Sequence, residues 1–255
     1  MTRRLPRALA ALLAITVLAA CSAGRERPPP RTGSTPILLI EYEPGLAPAA
    51  EAWALPALVL LADGTAISRA PDQGVLLAGE TRTLSGAEVT DLYARAADAG
   101  LFDDRTYGRD GVLDAGALVV AIASDRGRHE TTVVLPDPED RGARGRVARF
   151  AAGVPTRGTP TGPYTPTAVA AVVVADGDDS SDVRRWPLAT PAAEMPGAPT
   201  SPCQIISGAR LPGLLAATGT ATARTRWSSG GKALSLRLRP LLPYEHTCED
   251  LRHPW

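Results

Sequence analysis

The chain has 255 residues, 44% of them hydrophobic, with 27 basic and 27 acidic side chains and a formal net charge of zero. Three of the basic residues, Arg3, Arg4 and Arg7, lie in the first 20 positions, which leaves 24 against 27 in the remainder. Without a basic excess to neutralise phosphates, nucleic acid is excluded as a natural partner. Beyond residue 20 no apolar run reaches the roughly 20 residues that a spanning helix needs.

The three arginines precede an apolar run, Ala8 to Ala20, which ends at Cys21. A positive start, a short apolar core and small residues at its end are the pattern of a secretory signal. Leu18-Ala19-Ala20-Cys21 resembles the lipobox of bacterial lipoproteins. That resemblance implies a diacylglyceryl group on the Cys21 thiol, removal of residues 1–20, and an extracytoplasmic domain held on the cell membrane by fatty acyl chains. The other reading is an ordinary signal peptide with a chance cysteine. Residues 21–36, with three consecutive prolines at Pro28 to Pro30, read as an extended tether.

Structure is expected from Ile37 to Tyr42, a strand rich in branched residues. Asp63-Gly64 between Leu58 to Ala62 and Thr65 to Ser68 is a hairpin signal, since a type I′ turn needs two positive φ angles. Ser85 and Glu88 form the spacing of a capping box. Val89, Leu92, Tyr93 and Ala96 then fall on one helical face, and Gly100 supplies the stop. A second hairpin joins Ala117–Ser124 to Thr131–Leu135 through Asp125–Gly127. Asp137-Pro138-Glu139-Asp140 reads as the start of a second helix, with proline at the first position and acids at the positive end of the dipole. Val147, Phe150, Ala151 and Val154 give that helix its apolar stripe.

Residues 155–166, rich in Pro, Gly and Thr, divide a first unit at 37–154 from a second at 155–255. Both units could also close into one compact domain. In the second, Ala168–Val174 is a strand and Val183–Trp186 another. Ile206 to Leu215 echoes Leu84 to Tyr93, although Pro212 would delay the helix start. Ala221–Trp227 and Ala233–Arg239 form a last hairpin, in which Leu234, Leu236 and Leu238 face a core while Ser235, Arg237 and Arg239 face water. The fold class is α+β, with antiparallel sheets, helices packed on one face, and two related hairpin–helix–hairpin units.

With Cys21 committed to lipid, Cys203 and Cys248 form an even pair in an oxidising compartment, and a disulfide is the favoured reading. A metal site built from His246, Cys248 and His253 is the competitor, without the paired spacing of a zinc module. Asp176 to Asp182 alternates oxygen ligands, yet lacks the glycine and the closing glutamate of an EF-hand. No catalytic motif is present, no catalytic residue or metal ligand is assigned, and nothing calls for a cofactor. His129 reads as an exposed histidine beside a turn. Trp186, Trp227 and Tyr244 are candidate ligand-binding aromatics for stacking on a wall glycan. Arg141, Arg144, Arg146 and Arg149 read as a solvated helix face that could meet anionic lipid or polymer.

Several islands together resemble a group of actinobacterial lipoproteins for which no activity is established. They are Leu18–Cys21, Leu55-Pro56 leading to Asp63-Gly64, and Leu84-Ser85 leading to Ala99–Phe102. In the second half they are Arg185–Leu188, Cys203 with Ser207-Gly208, and Arg239-Pro240-Leu241-Leu242-Pro243 before Cys248. The resemblance implies an anchored envelope protein with a Cys203–Cys248 bridge. The expectation is therefore a non-catalytic binding or adaptor module, its partners the membrane through Cys21 and an envelope protein or wall glycan. The alternatives are an envelope hydrolase or a proteinaceous inhibitor of an extracellular enzyme.

Overall fold

The computed structural model describes residues 26–45, 53–108, 114–175, 182–188, 197–198, 201–251 and 255. Cys21, the stretch 176–181 and His253 lie outside them. Among the described residues no helix is long and apolar enough to cross a membrane.

The first half builds β1 (Pro36–Glu43), β2 (Leu58–Leu61), β3 (Thr65–Gln73), β4 (Leu76–Thr83), α1 (Gly86–Ala99), β5 (Thr106–Tyr107), β6 (Ala117–Ser124), β7 (Gly127–Val134) and α2 (Ala143–Gly153). The second half adds β8 (Thr159–Pro163), β9 (Ala168–Ala175), β10 (Val183–Arg185), β11 (Gly197–Ala198), β12 (Ser201–Ser207), α3 (Arg210–Thr218), β13 (Arg226–Ser229) and β14 (Lys232–Pro240). The 14 strands of the described residues join one sheet, whose main path runs β11-β12-β9-β14-β4-β3-β2-β1-β6-β7-β5. The class is α+β, but the sheet is mixed rather than purely antiparallel. Parallel pairs occur where β14 meets β4, where β5 meets β7 and where β10 meets β13. They arise because each of these partners arrives through a long connection instead of a tight hairpin, which leaves its direction free.

Local signals explain most elements. Ser85 accepts the Glu88 N–H while the Glu88 carboxylate accepts the Ser85 N–H at 2.7 Å, and Gly100 ends α1 at φ 81°. Gly64 takes φ 94° in the β2–β3 turn while Asp63 keeps an ordinary φ, so the hairpin forms as expected but its turn is not type I′. The α2 helix starts later than its acidic signal suggests, at Ala143 with Gly142 as an uncapped N-cap. Asp137 and Asp140 instead accept the N–H groups of Glu139 and Gly142 at 2.9 and 2.6 Å, so these carboxylates stabilise turns before the helix. The α3 helix starts earlier than Pro212 suggests. Pro212 sits in its first turn, where N–H groups have no intrahelical acceptor and a missing one is tolerated. Strand β8 occupies the Pro-rich boundary and pairs only with β4; proline is confined to such edge positions.

Alternation along β1 and β2 sends Leu38, Ile40, Leu58 and Leu60 to a core under α1 and α2, and Leu39, Val59 and Leu61 to the opposite face. In the second half Val169, Val173, Leu236 and Leu238 pack under α3 with Trp186 and Trp227. Leu238 lies beside Leu76 across the β14–β4 junction, and β4 carries the alternation on, so all three helices share one side. The other side is covered by the C-terminal segment. Leu242, Tyr244 and Trp255 pack on the first half's back face, and Leu241 and Leu251 on the second's, beside Trp53 and Cys203. A Cys203–Cys248 disulfide fastens this segment to β12.

That cover has a charged core of its own. Arg239 and Glu245 are 1% and 3% exposed, joined by two bonds of 2.6 and 2.8 Å. Glu245 also accepts the Leu242 N–H at 2.7 Å, and Arg239 donates to the Pro240 carbonyl. The expectation that Ser235, Arg237 and Arg239 face water is corrected: Ser235 and Arg239 are buried and Arg237 is half-buried, and the ion pair makes a charge at Arg239 tolerable.

Candidate functional site

A concavity lies at the sheet end where β1 stops. Antiparallel register puts Glu43 opposite Ala117, and the β3–β4 hairpin brings Arg69 and Pro71 to the same end. Two adjoining hollows, about 640 and 560 Å³, share Tyr42, Glu43, Pro44, Ala54 and Arg69 as walls. Asp137 borders the second. Tyr42 is 49% exposed, one of two large hydrophobic side chains so exposed among the described residues; the other is Val183. Burial pushes the Glu41 carboxyl above its ordinary value, and the neighbouring Glu43 adds to the shift while Arg239 opposes it. The groove therefore offers an aromatic face, carboxylates and one guanidinium, with prolines giving it stiff walls.

The aromatics singled out from sequence sit elsewhere. Trp186 and Trp227 are 4% and 1% exposed and meet edge to face at 5.8 Å in the second core. Their rings face each other in the core, and Trp186 also borders a hollow of about 860 Å³ with Arg185, Pro187 and Leu188. Tyr244 packs in the back-face cluster, and burial raises its phenol pKa.

His129 is not a simple exposed turn residue. Its Nδ1 lies 3.1 Å from Asp104 Oδ2, and Phe102 meets the ring edge-on at 5.6 Å. Asp104 also accepts the Glu130 N–H at 2.7 Å; that bond first, then His129, holds its carboxyl below the usual range. His129 Nε2 is buried with no hydrogen-bond partner among the described residues, and so is Thr131 Oγ1 on the same strand. The pair has the orientation of a histidine with its positioning carboxylate, without a hydroxyl bonded to the free nitrogen.

No family model, no curated protein and no solved structure matches this chain.

The remaining predicted residues are accounted for one by one. Cys203 and Cys248 are bonded to each other, which removes Cys248 from any metal set, and His246 is exposed. No cluster of three metal-ligating side chains occurs among the described residues. Asp182, the last residue of the acidic turn, bonds Arg184 at 3.0 Å and Thr225 at 2.6 Å. Arg144 donates to the carbonyls of Val134, at the end of β7, and Leu135, and Arg149 to that of Pro138, rather than standing free. Arg146 and Arg149, with Arg95 and Arg157 of neighbouring elements, border a cleft of about 250 Å³ between α1 and α2. Asp91 pairs with both Arg95 and Arg157 there.

Sequence reasoning passed over Tyr42 and Arg69. The signal was Glu41-Tyr42-Glu43-Pro44: an apolar strand ending in acids around an aromatic, closed by a proline that stops further pairing.

Proposed function

We propose that the chain is a lipid-anchored protein of the extracytoplasmic envelope, held on the membrane through Cys21, and that it acts as a non-catalytic binding module. The groove around Tyr42 is its recognition surface, and an envelope protein is its partner. The observation that carries this reading is the exposed Tyr42 ring set among Glu41, Glu43 and Arg69, while Trp186 and Trp227 are buried. Aromatic side chains that combine apolar area with a polar tip are favoured anchors at interfaces. The Cys203–Cys248 disulfide supports an oxidising compartment, in keeping with the lipobox at Leu18–Cys21.

The test is photo-cross-linking in intact membranes, with the reactive amino acid at position 42 and, as control, at Val183. One product from position 42, missing from 183 and abolished by Glu43→Arg, is the expected result. Equal products from both positions, or a product indifferent to Glu43→Arg, would remove the groove from the function. Tight, stoichiometric capture of one enzyme would turn the binding module into an inhibitor.

A second reading, an envelope hydrolase, draws on the His129–Asp104 contact at 3.1 Å. Hydrolysis of an ester or amide substrate, lost in His129→Gln with folding retained, would replace the binding reading.

A further inference from the structure

Residues 26–35 are not a free spacer. Arg27 N–H donates to Asp125 Oδ1 at 3.2 Å, and Asp125 N–H donates back to the Arg27 carbonyl at 3.0 Å. Arg126 pairs with Glu26 at 3.3 Å, and the Glu26 side chain is only 13% exposed. Arg31 donates to the carbonyls of Asp63 and Leu84 at 3.2 and 2.9 Å. The Pro-rich segment thus lies along one end of the domain, the end made by the β6–β7 turn, the β2–β3 turn and the start of α1. The expectation of a tether running to residue 36 is corrected: the chain is already fastened to the domain at Glu26.

We infer that the anchored domain is leashed against the bilayer surface, with the β6–β7 turn end toward the lipid headgroups and the Tyr42 groove facing away. This rests on the lipid anchor at Cys21 proposed above. Covalent geometry decides the orientation. Five links separate Cys21 from Glu26, and even fully extended they reach no more than about 18 Å. The groove lies at the far end of β1, whose eight residues span roughly 25 Å. A leash shorter than the strand cannot let the domain turn over and put the groove on the membrane. Fifteen free links, from Cys21 to Pro36, would reach about 50 Å and allow any orientation. The membrane-facing end suits a headgroup layer: Arg27 is exposed and has no ion-pair partner among the described residues, and it stands beside the Asp125–Arg126 turn. A basic side chain placed so meets lipid phosphates without uncovering apolar core.

The test uses the full-length chain, processed in a bacterial host and reconstituted in phosphatidylcholine–phosphatidylglycerol vesicles carrying a headgroup quencher. With Cys21 acylated and Cys203–Cys248 closed, a single introduced cysteine takes the fluorophore. Ala87→Cys reports the leashed end and Asp72→Cys the groove end; both positions are exposed. Strong quenching at 87 and little at 72 is the expected result. Inserting about 20 Gly/Ser residues after Ser22, a flexible addition of roughly 25 Å, should level the two signals. Equal quenching in the uninserted protein, with the diacylglyceryl mass present on Cys21, overturns the orientation alone. A Cys21 thiol without that mass overturns the anchor itself, and the orientation with it.

Discussion

Replacing Glu245 by alanine tests the account of the back face most directly. The substitution strips two hydrogen bonds from the Arg239 guanidinium and one from the Leu242 N–H, in a site where Arg239 is 1% exposed. Breaking one partner of a buried ion pair leaves an uncompensated charge and is expected to destabilise by about 3–5 kcal/mol. With a urea dependence of about 2–3 kcal/mol/M, the unfolding midpoint should fall by about 1–2.5 M. The double variant Arg239→Met, Glu245→Leu removes both charges and keeps the volume. It should recover part of the loss, because the pair's attraction is largely offset by its desolvation, and stay about 1–3 kcal/mol below the parent, because the buried Leu242 N–H loses its acceptor. Equilibrium urea unfolding followed by tryptophan fluorescence reads all the variants, since Trp53 and Trp227 are buried in the structure they report on. A loss below about 1 kcal/mol in Glu245→Ala would refute the reasoning, because Arg239 would then have water or another partner.

Three other outcomes are expected. Reducing the Cys203–Cys248 disulfide, whose cysteines are 45 residues apart, should lower stability by about 4 kcal/mol on the chain-entropy account, read as a fall in the urea midpoint with Cys203→Ser/Cys248→Ser. Ser85→Ala should lower stability by about 1 kcal/mol through loss of the α1 cap, while Glu88→Gln, which keeps a capping-box side chain, should lose less. The Glu41 carboxyl is raised in the folded state, chiefly by burial, so the native protein holds a proton that the unfolded chain releases. Stability contributed at Glu41 should then fall as pH rises from its ordinary 4.5 through the raised value, and Glu41→Gln should flatten that part of a stability–pH profile. Asp250 has the opposite sign: the His246 N–H, its largest stabilising contact, holds it low, so its contribution is present above the unfolded value and fades as pH falls through the folded one.

Signals that act within a few residues were legible in the sequence. Asp63-Gly64, the Ser85–Glu88 box and the face of Val89, Leu92, Tyr93 and Ala96 each fixed an element because the chemistry involved is local. The second face of the sheet was not legible. Whether Arg239 meets water or Glu245 depends on a segment that returns over β14, and alternation along one strand carries no record of it. Neither β12 nor β4 was expected, because Ser201 and Pro202 disguise the start of the one and Leu76-Leu-Ala-Gly-Glu-Thr in the other lacks clean alternation. The groove is legible only in part, since Arg69 reaches Tyr42 through register between strands and not through spacing along one of them.

The C-terminal cover also sets an order of events. Leu39, Val59 and Ile67 leave the ribosome long before their partner Leu242 is made. At roughly 5–20 residues per second the interval is on the order of ten seconds or more. Through that lag the first half has helices over one face of its sheet and a bare apolar surface on the other. Its strands pair across long stretches of chain, which slows completion further. A nascent chain paused before residue 241 is therefore the aggregation-prone species of this protein, and truncations near the C-terminus should collect in inclusion bodies even though they spare the Tyr42 groove.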